Sequence, residues 1–304
     1  LGEECELANP VDPAGGSWFV ETLTHQLAEK AWKTFQEIEG KGGMPAALRE
    51  GFPQKTIAAT AEARIRAVAT RRDGLIGVNL FPNVAEKPLP PSEDQQKKPA
   101  PRSAAPNSSP SARIADMPAA IAAWKSGSTL SEIVQALLTS EKPEGEITPL
   151  RILRLSEGYE HLRDNALRYA SAHGGLPKIW LANFGPPKQH KARADFSHGF
   201  LSPGGFLIES GPGAKSIEQA VEAVVAARPL AVVICSTDDT YPEIVPAFVP
   251  ALREKLPDVY LILAGYPEEQ VESHRATGVQ DFLHIKRNCL EFHQQLQKTL
   301  GVSQ

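Results

Sequence analysis

The sequence predicts an α/β protein. Its C-terminal part, residues 177–304, is expected to be a doubly wound, flavodoxin-like sheet of five parallel strands. Two observations carry this: after Pro177 short apolar runs alternate regularly with amphipathic stretches, and five such units fill the remaining chain. That pattern suits one crossover helix per strand and leaves no room for hairpins. Strands are expected at 179–182, 206–209, 231–235, 260–263 and 281–283. Helices are expected at 191–201, 216–226, 241–255, 268–277 and 290–300.

The preceding chain reads differently. Residues 17–39 form a helix, with Ser17 as N-cap, Glu21 in the first turn, and Val20, Leu23, Leu27, Ala31, Phe35 and Ile38 at helical spacing. Gly40, Gly42 and Gly43 close it. A short helix is expected at 45–49, a longer one at 53–72 with Pro53 at its start and Arg71 and Arg72 at its end, and then a single strand at 75–79. One strand cannot satisfy its own backbone, so this portion calls for a sheet supplied from elsewhere. Residues 84–111 are Pro, Ser, Ala, Lys and Gln with almost no large apolar side chain, the composition of a flexible linker. Helices at 118–125, 130–138 and 149–172 lead into the sheet domain. The domain expectation is therefore 1–83, a linker 84–115, a helical connector 116–176, and the sheet domain 177–304.

Composition narrows function. The net charge of −4 and the absence of a Lys/Arg block with interleaved aromatics argue against nucleic acid as a partner. The three cysteines, Cys5, Cys235 and Cys289, form no CxxC pair, so neither a disulfide framework nor a zinc knuckle is indicated and a reducing cytoplasm is expected. Cys235 closes an apolar run and reads as a core thiol. No apolar stretch approaches the ~20 residues of a membrane span. The start at Leu1, without Met or a signal-like segment, is expected of a fragment or processed product.

Candidate chemistry centres on the loop after the first strand, residues 185–193, because ligands of such sheets bind beyond the strand C-termini. His190 can ligate a metal through one imidazole nitrogen, yet no Asp or Glu lies between Phe184 and Ala194 to orient it, and Lys188, Lys191 and Arg193 are cationic. The reading favoured from these residues is an exposed histidine at the start of a helix. Gly211-Pro-Gly213 before the second helix can offer backbone N–H groups to an anion, or simply turn the chain. Ser236-Thr-Asp238-Asp239 after the third strand can meet a ligand, or Asp239 or Thr240 can simply cap the next helix. No HxxH or HExxH spacing occurs, and no catalytic constellation and no metal site are expected.

Two stretches bear a resemblance. Asn9-Pro-Val-Asp-Pro13-Ala-Gly-Gly-Ser17-Trp-Phe-Val-Glu21, continuing through Ala28-Glu-Lys-Ala-Trp32 to Gly42-Gly43-Met44, resembles the end of the substrate barrel in methylmalonyl-CoA mutases. Asp73-Gly-Leu-Ile-Gly77-Val-Asn79 is similar to that family's exit from the barrel. The resemblance implies that residues 1–83 are the helical end of a truncated TIM-type barrel and that 177–304 is of the cobalamin-binding type. Cobalamin-binding members carry D-x-H-x-x-G in the first loop, S-x-L after the third strand and Gly-Gly after the fourth. With His190 as the ligand, Lys188 stands at the Asp position and Arg193 at the Gly position, whereas without a gap Gln189 falls at the His; Ser236-Thr-Asp238 and Ala264-Gly265 replace the other two elements.

These departures resemble the small, non-catalytic β subunit of the heterodimeric bacterial mutases, as do Gly185, His190, Ala192-Arg193, Phe196, Gly204-Gly205 and the leading helix Arg154-Leu-Ser-Glu-Gly-Tyr-Glu160-His-Leu-Arg163. The resemblance implies an accessory subunit, within an isomerase, that binds no cofactor itself. Its larger catalytic partner would hold adenosylcobalamin and the acyl-CoA and interconvert methylmalonyl-CoA and succinyl-CoA. Gly185, His190, Ser236 and Gly265 are the candidate residues for any residual cofactor contact. Two alternatives stand beside this: a catalytic, cobalamin-binding mutase with His190 on cobalt, and a free-standing flavodoxin-like regulatory or interaction domain.

Overall fold

The computed structural model describes residues 2–86, 114, 116–140 and 146–303, without the side chains of 138–140. Most of the expected linker, 87–113 and 115, lies outside the described residues. The chain divides into two compact units, one from 1–59 with 89–151, the other from Thr60–Pro88 with Ile152–Gln304.

In the first unit, α1 (Trp18–Gly40) follows Ser17, and the Gly16 N–H donates to the Glu21 carboxylate at 3.1 Å. The helix stops where Gly42 and Gly43 take φ of +90° and +86°. Next come α2 (Met44–Glu50), with Pro45 in its first turn and a left-handed Gly51 after it, and the start of α3 (Phe52–Ala69). Asp116 caps α4 (Met117–Lys125) through the Ala119 N–H at 2.9 Å. Thr129 and Glu132 exchange hydrogen bonds, a capping box, at the start of α5 (Leu130–Ser140). No residue of α1 is buried: Trp18 is 90% and Phe19 76% exposed.

In the second unit α3 ends on buried Ala67, Val68 and Ala69. Residues 75–79 are not the expected strand. They form a turn with one bridge, Ile76 to Leu80. Fully buried Asn79 explains the difference: its Oδ1 accepts from the Leu75 N–H at 2.7 Å, and its Nδ2 donates to the carbonyls of Val68 at 2.9 Å and Asp73 at 3.0 Å. One amide side chain thus satisfies backbone groups that would otherwise need a sheet. The expected long helix 149–172 begins only at α6 (Glu157–His173), after Ser156, whose hydroxyl donates to Glu160 at 2.6 Å. Leu150, which helical spacing placed in a buried stripe, is 46% exposed.

From β1 (Lys178–Asn183) the alternation is as expected: α7 (Pro187–Leu201), β2 (Leu207–Ser210), α8 (Ile217–Ala227), β3 (Ala231–Cys235), α9 (Tyr241–Lys255), β4 (Tyr260–Ala264), α10 (Val271–Thr277), β5 (Asp281–Leu283) and α11 (Cys289–Thr299). All pairings are parallel and the strand order is β2-β1-β3-β4-β5, a doubly wound sheet. Every residue of β3 is buried, as a central strand covered on both faces requires. Tyr159, Leu162, Phe200, Phe292 and Leu296 from α6, α7 and α11 cover one face. Val224, Val245, Phe248 and Val249 from α8 and α9, with Val271, cover the other. α7 starts four residues before the expected 191 because Pro187 occupies its first turn, where a missing N–H costs nothing.

Candidate functional site

The strand order reverses between β1 and β3, so the crevice beyond their C-termini is where this fold presents a site. Backbone bonds build its β1 side. The Phe184 N–H donates to Cys235 O at 3.0 Å, Gly185 N–H to Ala214 O at 3.2 Å, and Ala214 N–H to Asn183 O at 2.8 Å. The loop after β2 is thereby laid against the end of β1. Gly213 is needed for that approach: a Cβ there would sit 2.2 Å from the Gly185 carbonyl oxygen. Gly211-Pro-Gly213 thus has a packing role, and Ser216 caps α8 by accepting from the Gln219 N–H at 3.3 Å. Above this floor opens a cavity of about 740 Å³, with Phe184, Pro186, Ile217 and Ile244 as apolar wall and Gln189, Lys215, Ser216, Thr240 and Glu243 as polar groups.

His190 borders this floor without being the exposed histidine expected from the cationic loop. It is 8% exposed, and its Nδ1 lies 3.0 Å from the Gly185 carbonyl. A carbonyl only accepts, so Nδ1 carries a proton, and in the neutral ring Nε2 then holds the lone pair. The orienting partner is therefore a backbone oxygen five residues earlier, which no search for a nearby carboxylate would find. Lys188, at the family's Asp position, is exposed.

The β3–β4 side is filled instead of open. The Arg193 guanidinium reaches from α7 to both carboxylate oxygens of Asp238, each at 2.9 Å. The pair lies over Gly265, where an added Cβ would be 2.7 Å from Arg193 Nη1 and 3.1 Å from Asp238 Oδ1. Gly265 also has φ of +134°, which a side chain would strain. Ser236 is fully buried. Its hydroxyl accepts from Thr240 at 2.7 Å and its N–H donates to the Tyr241 hydroxyl, which donates on to Ala264 O at 2.6 Å. Burial pushes the Cys235 thiol up to about 12, so it stays protonated and unreactive, in keeping with a core thiol.

The four sequence candidates therefore separate. Gly185 and His190 belong to the backbone-built side, and Ser236 and Gly265 lie under or beside the ion pair. Sequence reading flagged Arg193 and Asp238 singly, as departures from a motif, and missed that they complete each other. The available signal was opposite charge on the segments that follow β1 and β3, strands that neighbour each other in this fold. Among the described residues no group of three or more His, Cys, Asp or Glu could hold a metal ion.

Residues 1–142 match the family model described as methylmalonyl-CoA mutase. The chain is also 28% identical over 298 residues to the methylmalonyl-CoA mutase small subunit of Porphyromonas gingivalis, covering 96% of this chain and 39% of that protein. The chain belongs to the methylmalonyl-CoA mutase family. It is 34% identical over 253 residues to the small subunit of Streptomyces virginiae, covering 83% of this chain and 33% of the relative. A probable small subunit of Mycobacterium bovis is 32% identical over 306 residues, covering 99% and 39%. The chain thus spans a third to two fifths of the length of these mutase relatives. Among solved structures, a CheY-like protein (tadZ) of Pseudomonas aeruginosa PAO1 aligns at 15% identity with a TM-score of 0.34, covering 41% of this chain and 95% of that one.

Proposed function

We propose that this chain is part of an accessory, non-catalytic small subunit of adenosylcobalamin-dependent methylmalonyl-CoA mutase. The larger partner of the heterodimer holds the cofactor and the acyl-CoA and interconverts methylmalonyl-CoA and succinyl-CoA. The observation that carries this reading is the Arg193–Asp238 pair over Gly265. In cobalamin-binding relatives the corresponding motif positions are a glycine, a leucine and a glycine pair, which leave room for a nucleotide tail. Here two charged side chains occupy that room, with Arg193 Nη2 shared between both carboxylate oxygens of Asp238. The residues present do not fit cobalamin.

The names of the relatives support a small subunit with a larger partner. The apolar side chains that α1 leaves exposed support reading 1–83 as the end of a barrel domain whose remainder covers them. No helix among the described residues is long and apolar enough to cross a membrane, and the thiols are free, which accords with a cytoplasmic setting.

One observation favours the second reading, a cobalamin-binding mutase. The Gly185 carbonyl meets His190 at Nδ1, which leaves Nε2 as the nitrogen available to a metal. Hydroxocobalamin added to the chain separates the two, read by its visible spectrum. The accessory reading expects no saturable spectral change at micromolar cofactor. Micromolar binding that disappears in His190→Ala would overturn it. Co-expression with a larger mutase chain should yield a stable complex, and its failure to form removes the subunit assignment.

A further inference from the structure

We propose that a second cavity, between residues 71–82 and α7 within the second unit, is a binding site for a small oxyanion held by the Arg71 guanidinium. The cavity measures about 320 Å³, at the small end for ligand sites, and lies on the flank of the domain, away from the strand-end crevice. Arg71, Asp195, His198 and Ser202 supply its polar wall, and Leu80 and Phe81 an apolar strip.

Arg71 sits just beyond the end of α3 at φ +58°, the left-handed position that a helix C-terminus normally gives to glycine. An arginine there is strained by roughly 1 kcal/mol. Its side chain packs against α7. The guanidinium carbon lies 5.9 Å from the centre of the Phe200 ring, and Nε is buried without a hydrogen-bond partner. Neighbouring charges are already matched. Arg72 lies 3.7 Å from Asp73, and Asp195 on the cavity wall is 3.0 Å from Lys191. Among the described residues no carboxylate is paired with Arg71.

A guanidinium taken partly out of water with an unmet N–H calls for an acceptor. Its fork matches the paired oxygens of a carboxylate or a phosphate. The unneutralised charge is also felt below the cavity, where Arg71 adds to burial in holding the His293 imidazole neutral and opposes burial at the Cys289 thiol. Ser202 spends its proton on the His198 carbonyl at 2.6 Å, so Arg71 is the principal donor. The cavity's size and the short strip of Leu80 and Phe81 limit the ligand to inorganic phosphate or a carboxylate of a few carbons. The site is independent of the cofactor question in the crevice.

The test titrates the full 304-residue chain with sodium phosphate and, separately, sodium propionate, with chloride matched, and follows amide resonances. One of the two should saturate with a dissociation constant of about 1 mM or tighter. Which one saturates tells a phosphate site from a carboxylate site. The shifts should concentrate at 71, 80–82 and 195–202. Arg71→Met, which keeps the aliphatic stem, should weaken binding about tenfold or more, and Arg71→Lys, which keeps charge without the fork, by less. No saturation with either anion, shifts centred elsewhere, or unchanged affinity in Arg71→Met would each overturn the proposal. If Arg71→Met does not fold, the location of the shifts in the unsubstituted chain decides alone.

Discussion

The two faces of the sheet are built on different principles. Under α8 and α9 the buried layer is Val221, Val224, Val245, Phe248, Val249 and Leu252, mostly hydrocarbon, with the Tyr241 hydroxyl at the strand ends and His274 at its margin. Under α6, α7 and α11 the layer carries polar groups deep inside: Ser197, His293 and Gln297 are all fully buried. Gln297 donates to Leu162 O at 2.7 Å and Gly204 O at 2.9 Å. The crevice repeats the contrast. On the hydrocarbon face it stays open, with a floor fixed by backbone bonds, and on the polar face Arg193 and Asp238 fill it. Apolar packing holds a fold without dictating what its surface loops do. A buried polar group must find a partner, so it constrains its neighbours one by one.

The largest expected effect is on the hydrocarbon face. Phe248 is completely buried and meets Phe184 edge-on, with ring centres 5.1 Å apart. Phe248→Ala should cost roughly 3–5 kcal/mol in chemical denaturation. The same measurement on Trp18→Ser in α1, 90% exposed, should move stability by no more than about 0.5 kcal/mol. A large loss from Trp18→Ser would mean that α1 is packed after all.

That pair of helices also shows what a sequence discloses. Apolar spacing reveals α1 and α9 equally well, because both are amphipathic, but periodicity does not say what the stripe will cover. The continuous apolar runs of β1, β3 and β4 fit strands buried on both faces, and with the alternating helices they made the order of the sheet domain legible. Single polar side chains acting at a distance were not. Asn79 turns an apparent strand into a turn by bonding backbone as far back as Val68. The Gly185 carbonyl, invisible in a list of side chains, orients His190. Arg193 and Asp238 lie 45 residues apart and meet only because β1 and β3 are neighbours.

The polar face should reveal itself through pH. Burial, seconded by Arg71, lowers the pKa of His293 from 6.5 to about 3, with Cys289 Sγ 3.6 Å from its Nδ1. The folded state keeps this ring neutral, whereas the unfolded chain protonates it below about 6.5. Stability is therefore full above pH 6.5 and falls as pH drops from there towards 3. Between pH 6.5 and 5 one proton corresponds to roughly 2 kcal/mol. His274 and His284, also lowered by burial, act in the same direction. His293→Leu should remove most of the slope of the denaturation midpoint over that window, and His274→Leu a smaller part. Equal slopes in the two variants would erase the distinction between the faces.

The smallest effect concerns the filled crevice and is a difference of differences. Gly265→Ala should destabilise for two reasons, the backbone angle of +134° and the contact of the new Cβ with Arg193. In an Arg193→Ala background only the first remains. The two substitutions should therefore be less than additive in Gly265's cost, with a coupling of about 1 kcal/mol in a double-mutant cycle. The ion pair contributes little to stability by itself, because Arg193 and Asp238 are 34% and 46% exposed and water screens them. The coupling thus reports occupancy of space more than charge. Asp238→Asn, which keeps the shape and removes the charge, should leave most of the coupling in place. Coupling that vanishes in Asp238→Asn would mean that Arg193 lies over Gly265 only while the carboxylate holds it there, so that the crevice opens once the charge is gone.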